Sequence, residues 1–259
     1  MERINTPKPR GVSSAGLRIW GMLFLLVGML GRSLLQNRML GLGAANAQQI
    51  LEGVLSTETG MAIATVSLVM QALETMAAPV FCFLLVEGVQ RTSNFGMYFA
   101  RVAGVAALSE LPYNFAMSGK LLDFSSRNPV FGLVLAMILL YLYRRFEKPG
   151  FQNVVLKALF TIAGVLWGQM LNIADGACCV ILVAVLWGLR KKVMLRNVLG
   201  CAMSFACSLF NPFFMVAPMS FLMLHFYNGE KGEGNRVMNY LAYPVLLLVT
   251  GVVGAFLAM

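Results

Sequence analysis

Long apolar runs alternate with short polar loops from about residue 17 to the end of the chain. A helix needs about 20 apolar residues, with about 17–25 as the usual range, to cross the hydrocarbon core of a bilayer. Nine runs match or approach that length: 19–35, 61–89, 96–117, 129–143, 151–171, 176–189, 194–210, 211–227 and 240–259. The pattern predicts an all-α fold, a polytopic transmembrane helix bundle of about nine spans. We expect residues 17–259 to form a single transmembrane domain after a disordered cytoplasmic tail, residues 1–16.

The composition agrees with a chain embedded in a lipid bilayer. Of the 259 residues, 59% are hydrophobic and 12% are charged, whereas a soluble domain carries roughly a quarter charged residues. The polar side chains are too few to cover a surface that faces water on all sides. The composition therefore excludes a soluble domain.

The distribution of positive charge predicts the orientation. Lys and Arg accumulate in the cytoplasmic loops of membrane proteins. With the N-terminus inside, the predicted inside segments hold 16 of the 20 Lys and Arg residues, and the outside segments hold four. The net charge of +9 does not indicate nucleic-acid binding, because no basic stripe is interleaved with aromatic residues. We predict a cytoplasmic N-terminus, an outer C-terminus and no nucleic-acid partner.

The second span carries charged and helix-breaking side chains. Pro79 lacks a backbone donor, so we expect this long helix to bend or break. Glu87 and Arg91 are four residues apart and therefore share one helix face. A structural ion pair near the inner interface is one interpretation. The other is a carboxylate directed into a cavity that opens to the cytoplasm, which would explain a charge that costs about 2.5–3.5 kcal/mol at membrane depth.

The third span carries Arg101 near its start and Glu110 two residues before Pro112. A carboxylate beside a helix broken by proline can reach freed backbone donors and build a polar pocket. A structural cap is the equally weighted alternative for Glu110, and we expect Asn128 to line the same region. Asp175 stands just before a predicted helix, on the outer side, where it has the position of an N-cap.

Cysteine and histidine do not indicate a metal site. The five cysteines lie within apolar runs and their number is odd, so buried small side chains are the simplest interpretation. His225 is the single histidine and lies at the expected inner end of a span. We therefore predict no metal site and no Ser-His-Asp catalytic set.

A series of short motifs runs along the chain. They are residues 78–81 (APVF), 84–88 (LLVEG), Thr92, Tyr98, Arg101, 109–113 (SELPY), 128–131 (NPVF), 174–176 (ADG), 226–229 (FYNG) and 243–244 (YP). From about Leu17 to the end, the chain resembles the TraX family in these motifs and in their order. The resemblance implies a multi-pass protein of the bacterial cytoplasmic (inner) membrane.

The resemblance also implies acyltransferase-like chemistry, since the family's named member acetylates the N-terminal amine of propilin in bacterial conjugation. The expected co-substrate is acetyl-CoA or another acyl-CoA. TraX-like proteins usually carry an Asp-His pair where this chain has Gly28 and Met29. They usually carry a Gly-Arg pair where it has Glu74 and Thr75, and often a histidine after the Tyr-Pro motif, where it has Val245.

Without those histidines, acid–base chemistry at neutral pH falls to carboxylates, and burial can tune a carboxylate for it. The predicted catalytic residues are Glu87 and Glu110. The predicted substrate-binding residues, which are cations or polar groups near the same spans, are Arg91, Arg101, Asn128 and Asp175.

Two other functions remain open at the level of sequence. A catalytically inactive TraX relative could act as an accessory or partner subunit of a membrane assembly, because the packing motifs are present while the Asp-His pair is absent. A small-molecule transporter would account for broken helices and intramembrane carboxylates. The expected partners are the lipid bilayer and either an acyl acceptor or a membrane protein.

Overall fold

The computed structural model describes residues 11–42, 47–148, 150–233 and 236–257. The helices are α1 (Ser14–Met29), a π-helix π1 (Leu30–Met39), α2 (Ala47–Leu55), α3 (Glu58–Glu74), α4 (Ala77–Arg91), α5 (Phe95–Ser118), α6 (Val130–Arg145), α7 (Phe151–Met170), α8 (Gly176–Gly188), α9 (Val193–Ala206), α10 (Ser220–His225) and α11 (Arg236–Leu257). Short 3-10 turns cover Cys207–Leu209, Pro212–Met215 and Ala217–Met219. The predicted all-α fold is confirmed.

Four stretches of the described chain are long and apolar enough to cross a membrane. They are Ser14–Met39, Glu58–Arg91, Phe151–Met170 and Met238–Phe256. Shorter apolar helices cover Gly176–Gly188 and Val193–Leu209. Length and composition thus support a helical membrane protein, while the count of nine spans and the cytoplasmic N-terminus stay predictions.

Polar side chains mark the starts of three long helices. The Ser13 hydroxyl accepts a hydrogen bond from the backbone N–H of Gly16 at the start of α1. Thr57 and Asn94 do the same at the starts of α3 and α5. Each cap satisfies a backbone donor that has no partner within the helix, so these starts follow from local sequence.

The predicted break in the second span is confirmed, and it falls between α3 and α4, just before Pro79. Pro79 cannot donate to the carbonyl of Thr75, and its ring crowds that carbonyl. The Ala78 N–H donates to Thr75 O instead, at 3.3 Å. The Thr75 hydroxyl donates to Phe213 O at 3.1 Å, which ties the break to a neighbouring turn.

The expected break at Pro112 is wrong, because α5 runs without interruption from Phe95 to Ser118. The C-terminal part of α5 packs closely against α11, where a methyl group added to Gly251 would lie 2.7 Å from the Phe115 ring. Packing from a neighbouring helix can hold a helix together where proline removes one hydrogen bond. Tertiary contacts therefore override the local signal here.

A second group of helices packs around α8, which contacts α4, α6, α7 and α9. Most of its side chains are buried. Its 13 residues span about 20 Å, which is less than the hydrocarbon thickness of about 30 Å. Gly132 and Gly176 bring α6 and α8 together, since a methyl group on Gly132 would lie 3.1 Å from Gly176 Cα.

The predicted continuous span at 211–227 is wrong. Two 3-10 turns and the six-residue α10 occupy this stretch. Pro212 and Pro218 each lack a backbone donor, which prevents a regular helix through both positions. The Asn211 side chain accepts a hydrogen bond from Phe213 N at 3.1 Å and so favours a turn in place of a helix.

The predicted tail, residues 1–16, lies partly outside the described residues, which begin at Gly11. Residues 11–15 run along the segment that follows α10. The Val12 N–H donates to Phe226 O at 2.8 Å, and the Ser14 N–H donates to Glu230 O at 2.8 Å. This contact brings the start of α1 beside residues 226–231.

Candidate functional site

A cavity of about 710 Å³ lies among α1, α4, α5 and α11, with contributions from the starts of α6 and α8. It begins at the face of the molecule where α1 starts and α4 ends, and it extends towards the break between α3 and α4. Lining residues on α4 run from Arg91 back to Ala77, a distance of about 21 Å along the helix. The cavity is therefore long enough to hold an extended ligand.

Positive charge dominates the open end of the cavity, which we call the mouth. Its charged side chains are Arg18, Glu87, Arg91, Arg101 and Lys231. Three of the four cations, Arg91, Arg101 and Lys231, are exposed. Four cations beside one carboxylate leave an excess of positive charge, which attracts phosphate groups.

The predicted ion pair between Glu87 and Arg91 is confirmed, with 2.7 Å between Arg91 Nη2 and Glu87 Oε2. Arg91 also donates to the carbonyl of Gly229 at 2.8 Å and to the Tyr227 hydroxyl at 2.9 Å. The Tyr227 hydroxyl in turn donates to Glu87 at 3.2 Å. Burial raises the pKa of the Tyr227 phenol, so this hydroxyl keeps its proton and its role as a donor.

The middle of the cavity is apolar, and its far end is polar again. The middle is lined by Met22, Leu25, Ala78, Phe81, Leu84 and Val105. The far end lies deep in the molecule, and we call it the inner end of the cavity. It is formed by Glu74, Thr75, Asp175 and Tyr243. Two polar ends joined by an apolar passage match a ligand with a charged head and a less polar arm.

Glu74 occupies space that a missing side chain leaves free. It is the last residue of α3, and it faces Gly28 of α1 so closely that a methyl group on Gly28 would overlap the Glu74 Cβ and carboxylate. Glycine allows this close approach of two helices. The carboxylate thus lies in the interface of α1 and α3, at the boundary of the cavity.

Arg32 of π1 is the cation paired with Glu74, at 4.0 Å between Nη2 and Oε2. The buried Gln71 side chain holds Arg32, since its Oε1 accepts from Arg32 Nε at 3.2 Å. The Gln71 amide donates to Gln36 at 2.7 Å and to the Ser67 hydroxyl at 3.0 Å. A connected set of side chains between π1 and α3 therefore fixes the position of Arg32.

Asp175 has the N-cap position of α8, as predicted, but its side chain makes no capping hydrogen bond. The predicted capping role is therefore wrong. Its backbone is left-handed, with φ of 54°, which aspartate tolerates better than most residues. The carboxylate accepts a hydrogen bond from the Asn211 amide at 2.8 Å and lines the cavity.

Glu110 and Asn128 hold each other at a helix junction. Both the backbone N–H and the side-chain amide of Asn128 donate to Glu110 Oε2, at 3.2 and 2.8 Å. The Asn128 side chain then accepts from Val130 N at 2.9 Å, at the start of α6. Neither residue is among the described residues that line the cavity.

The structure thus brings together Glu87, Arg91, Arg101 and Asp175 around one cavity, and it places Glu110 and Asn128 elsewhere. The roles predicted for all six residues stay predictions. Sequence reasoning did not select Glu74 as a site residue, although Glu74 and Gly28 both stood where the chain departs from the usual TraX pattern. The acid at position 74 and the glycine at position 28 were the features of the sequence that could have indicated Glu74 as a site residue.

His225 is exposed on α10 and is not among the described lining residues. Among the described residues, no group of three or more His, Cys, Asp or Glu side chains could hold a metal ion. The polar side chains that line the cavity are carboxylates, guanidinium groups, an amine, carboxamides, hydroxyls and the Cys179 thiol.

A helical membrane protein with a cavity between its spans is the class that the fold and the site define. The family model described as TraX protein matches residues 46–254. This match covers most of the chain, so the chain belongs to the TraX family. No curated protein and no solved structure matches it.

Proposed function

We propose that this protein is an acyltransferase of the bacterial inner membrane, which takes its acyl group from a cytoplasmic acyl-CoA through the cavity. The observation that carries the proposal is a cavity of about 710 Å³ with a cationic mouth, an apolar middle and carboxylates at its inner end. Membership of the TraX family and its resemblance to an acetylating protein support the same reaction class.

The mouth suits the phosphate groups of the donor. Arg91 and Arg101, both exposed at the mouth, present planar guanidinium forks that bind phosphate oxygens through paired hydrogen bonds. Lys231 and Arg18 add positive charge beside them. With the predicted orientation, this end of the cavity faces the cytoplasm, where acyl-CoA is available.

The apolar middle suits the thioester arm. Ligand sites in proteins are mostly apolar clefts of about 300–1,000 Å³ with a few polar groups that fix orientation. An arm that passes Met22, Phe81 and Leu84 brings the thioester towards the inner end. The donor head and the reacting carbon then occupy the two polar ends of one cavity.

The reaction needs a base. The acceptor nitrogen or oxygen attacks the thioester carbon, its proton passes to a carboxylate, and the C–S bond breaks as the proton reaches the departing sulfur. The sequence singles out Glu87 for this role, but Glu87 lies at the mouth, whereas the reacting carbon is proposed to lie at the other end of the cavity. Arg91 and Arg101 are proposed to bind the donor, and Asp175 to contact the substrate at the inner end.

Acyl transfer and donor binding can be measured together on the purified full chain. We expect acetyl-CoA to bind, to release free thiol, and to bind about tenfold more weakly to the Arg91→Ala and Arg101→Ala variants. Arg145→Ala is the matched control, because Arg145 is exposed and lies outside the described lining. Equal affinity in all four proteins would contradict the proposed role of the mouth.

The two alternatives predict different results in the same preparation. An accessory subunit would co-purify with a stable membrane protein partner and release no thiol from acetyl-CoA. A transporter would accumulate a solute in proteoliposomes without breaking a covalent bond. Thiol release that depends on the cavity carboxylates would favour the acyltransferase over both.

A further inference from the structure

The carboxylate of Glu74 has a cost that its surroundings only partly offset. A charged side chain at membrane depth is unfavourable unless it is paired or hydrated. Its ion pair with Arg32 is long, at 4.0 Å, and 20% of its side chain remains exposed, at the edge of the cavity. An oxygen with a distant partner and an open side is available to a reacting group.

The groups around Glu74 come from every neighbouring element. Arg32 lies on π1, Asp175 precedes α8, and Tyr243 lies on α11, while Tyr113 of α5 is close enough to interact with the charge of Arg32. Two carboxylates, Glu74 and Asp175, thus line this end of the cavity, and Arg32 forms an ion pair with Glu74. The charge of this cluster is balanced when one of the carboxylates holds a proton, as a base does after it has acted.

Glu87 is less suited to accept a proton. Its Oε2 binds Arg91 at 2.7 Å and the Tyr227 hydroxyl at 3.2 Å. Proton transfer to Glu87 would weaken both contacts, and Arg91 would keep only its neutral partners, the Tyr227 hydroxyl and the Gly229 carbonyl. The Glu87 carboxylate is therefore held by two close partners at the mouth, whereas the Glu74 carboxylate at the inner end has a distant partner and an open side.

We propose that Glu74 is the catalytic base and that the inner end of the cavity is the reaction centre. Arg32 and Gln71 are positioning residues that act through it. The proton of the acceptor passes to Glu74 as the acceptor atom bonds to the thioester carbon, and it then passes to the sulfur as the C–S bond breaks. This inference rests on the proposed acyl transfer and names the group that performs it.

The test compares the Glu74→Gln, Glu87→Gln and Glu147→Gln variants of the full chain by release of free thiol, with acetyl-CoA as donor and water as the acceptor. We expect Glu74→Gln to lower kcat by about 10²- to 10⁴-fold while the affinity for CoA stays unchanged. We also expect it to remove the acidic limb of the pH–rate profile. Glu147→Gln is the matched control, since Glu147 is paired with Arg190 and lies outside the described lining.

A second pair of variants separates chemistry from folding. Glu74→Gly removes the carboxylate, and Gly28→Asp in the same chain returns one from the opposite helix, into the space that Glu74 leaves. We expect the rate of the double variant to be at least tenfold higher than the rate of Glu74→Gly alone. Glu74→Asp, which retains a carboxylate on α3, should keep part of the rate.

Three results would overturn the inference, and they are distinguishable. A wild-type rate in Glu74→Gln, with the rate lost in Glu87→Gln, would move the base to the mouth and leave the acyltransferase proposal intact. Loss of CoA affinity together with rate in Glu74→Gln would assign Glu74 a structural role. Absence of both CoA binding and thiol release in the wild-type protein would end the proposed function and the inference with it.

Discussion

The two glutamate–arginine pairs of the cavity are similar in composition and different in their surroundings. Glu74 and Glu87 are about equally exposed, at 20% and 18% of the side chain, so access to solvent does not distinguish them. Their partners do. Glu87 has a cation at 2.7 Å on its own helix, and Glu74 has one at 4.0 Å on another helix.

This difference has a physical origin in how each pair is built. A pair at i and i+4 can form wherever the helix forms, so the Glu87–Arg91 pair at the mouth follows from local sequence. The inner pair exists only because α1, π1 and α3 pack together. We infer that the mouth tolerates substitution and that the inner end does not, and four measurements test this contrast.

The largest effect is expected for Gly28→Asp as a single change. The new side chain would overlap Glu74 and place a second carboxylate beside it, which should lower the free energy of unfolding by about 3 kcal/mol or more. Thermal unfolding in detergent measures this loss. Gly28→Ala and Gly104→Ala separate packing from charge, because a methyl group at Gly28 would overlap Glu74 whereas one at Gly104 meets open space. Equal losses in these two variants would contradict close packing at Gly28.

A smaller loss is expected for Arg32→Ala. The change leaves Glu74 without its paired cation and Gln71 without the donor to its carbonyl oxygen. We expect the free energy of unfolding to fall by about 1–3 kcal/mol, and the melting temperature reports it. Glu74→Gln in the same chain should recover part of the loss, because it removes the unpaired charge, and the absence of any recovery would argue against the pair.

Arg91→Ala should change stability by less than about 1 kcal/mol, because its side chain is 44% exposed and exposed ion pairs contribute little. The same unfolding measurement applies, with Arg145→Ala as the reference for loss of an exposed arginine. A loss as large as that of Arg32→Ala would remove the contrast between the two ends.

The smallest effect is expected in how the melting temperature depends on pH in alkaline solution. Burial raises the pKa of Tyr227 above its ordinary value of about 10. A group with a raised pKa in the folded state contributes stability below its unfolded pKa, and the contribution disappears as pH rises through its folded pKa. We expect the melting temperatures of wild type and Tyr227→Phe to differ by a constant amount below pH about 10 and to converge as pH rises above it, whereas a difference that stays constant above pH about 10 would contradict this.

Local features of the fold were accessible from the sequence, and long-range ones were not. The Glu87–Arg91 pair and the break before Pro79 follow from spacing and from one missing donor. Pro112 misled, since contacts with α11 keep α5 intact. The stretch 211–227 was predicted as one continuous span and is broken into short turns and α10. Its average hydropathy does not reveal the effect of two prolines on hydrogen bonding.

The candidate site shows the same limit. The cations of the mouth lie near helix ends, where sequence indicates an interface, and Arg91 and Arg101 were predicted from that position. Glu74 lies at the cavity because Gly28, which is 46 positions earlier in the chain, leaves space for its side chain. No periodicity within either helix reveals that pairing, because it depends on the register between α1 and α3.

The absent side chain at Gly28 also bears on how such a cavity changes over time. The close approach at Gly28 leaves room for one acid, at position 28 or at position 74. An exchange made one residue at a time passes through an ancestor with either two acids in the same space or none. Descendants of either intermediate would be under pressure to complete the swap, so the two positions should vary as a unit across lineages.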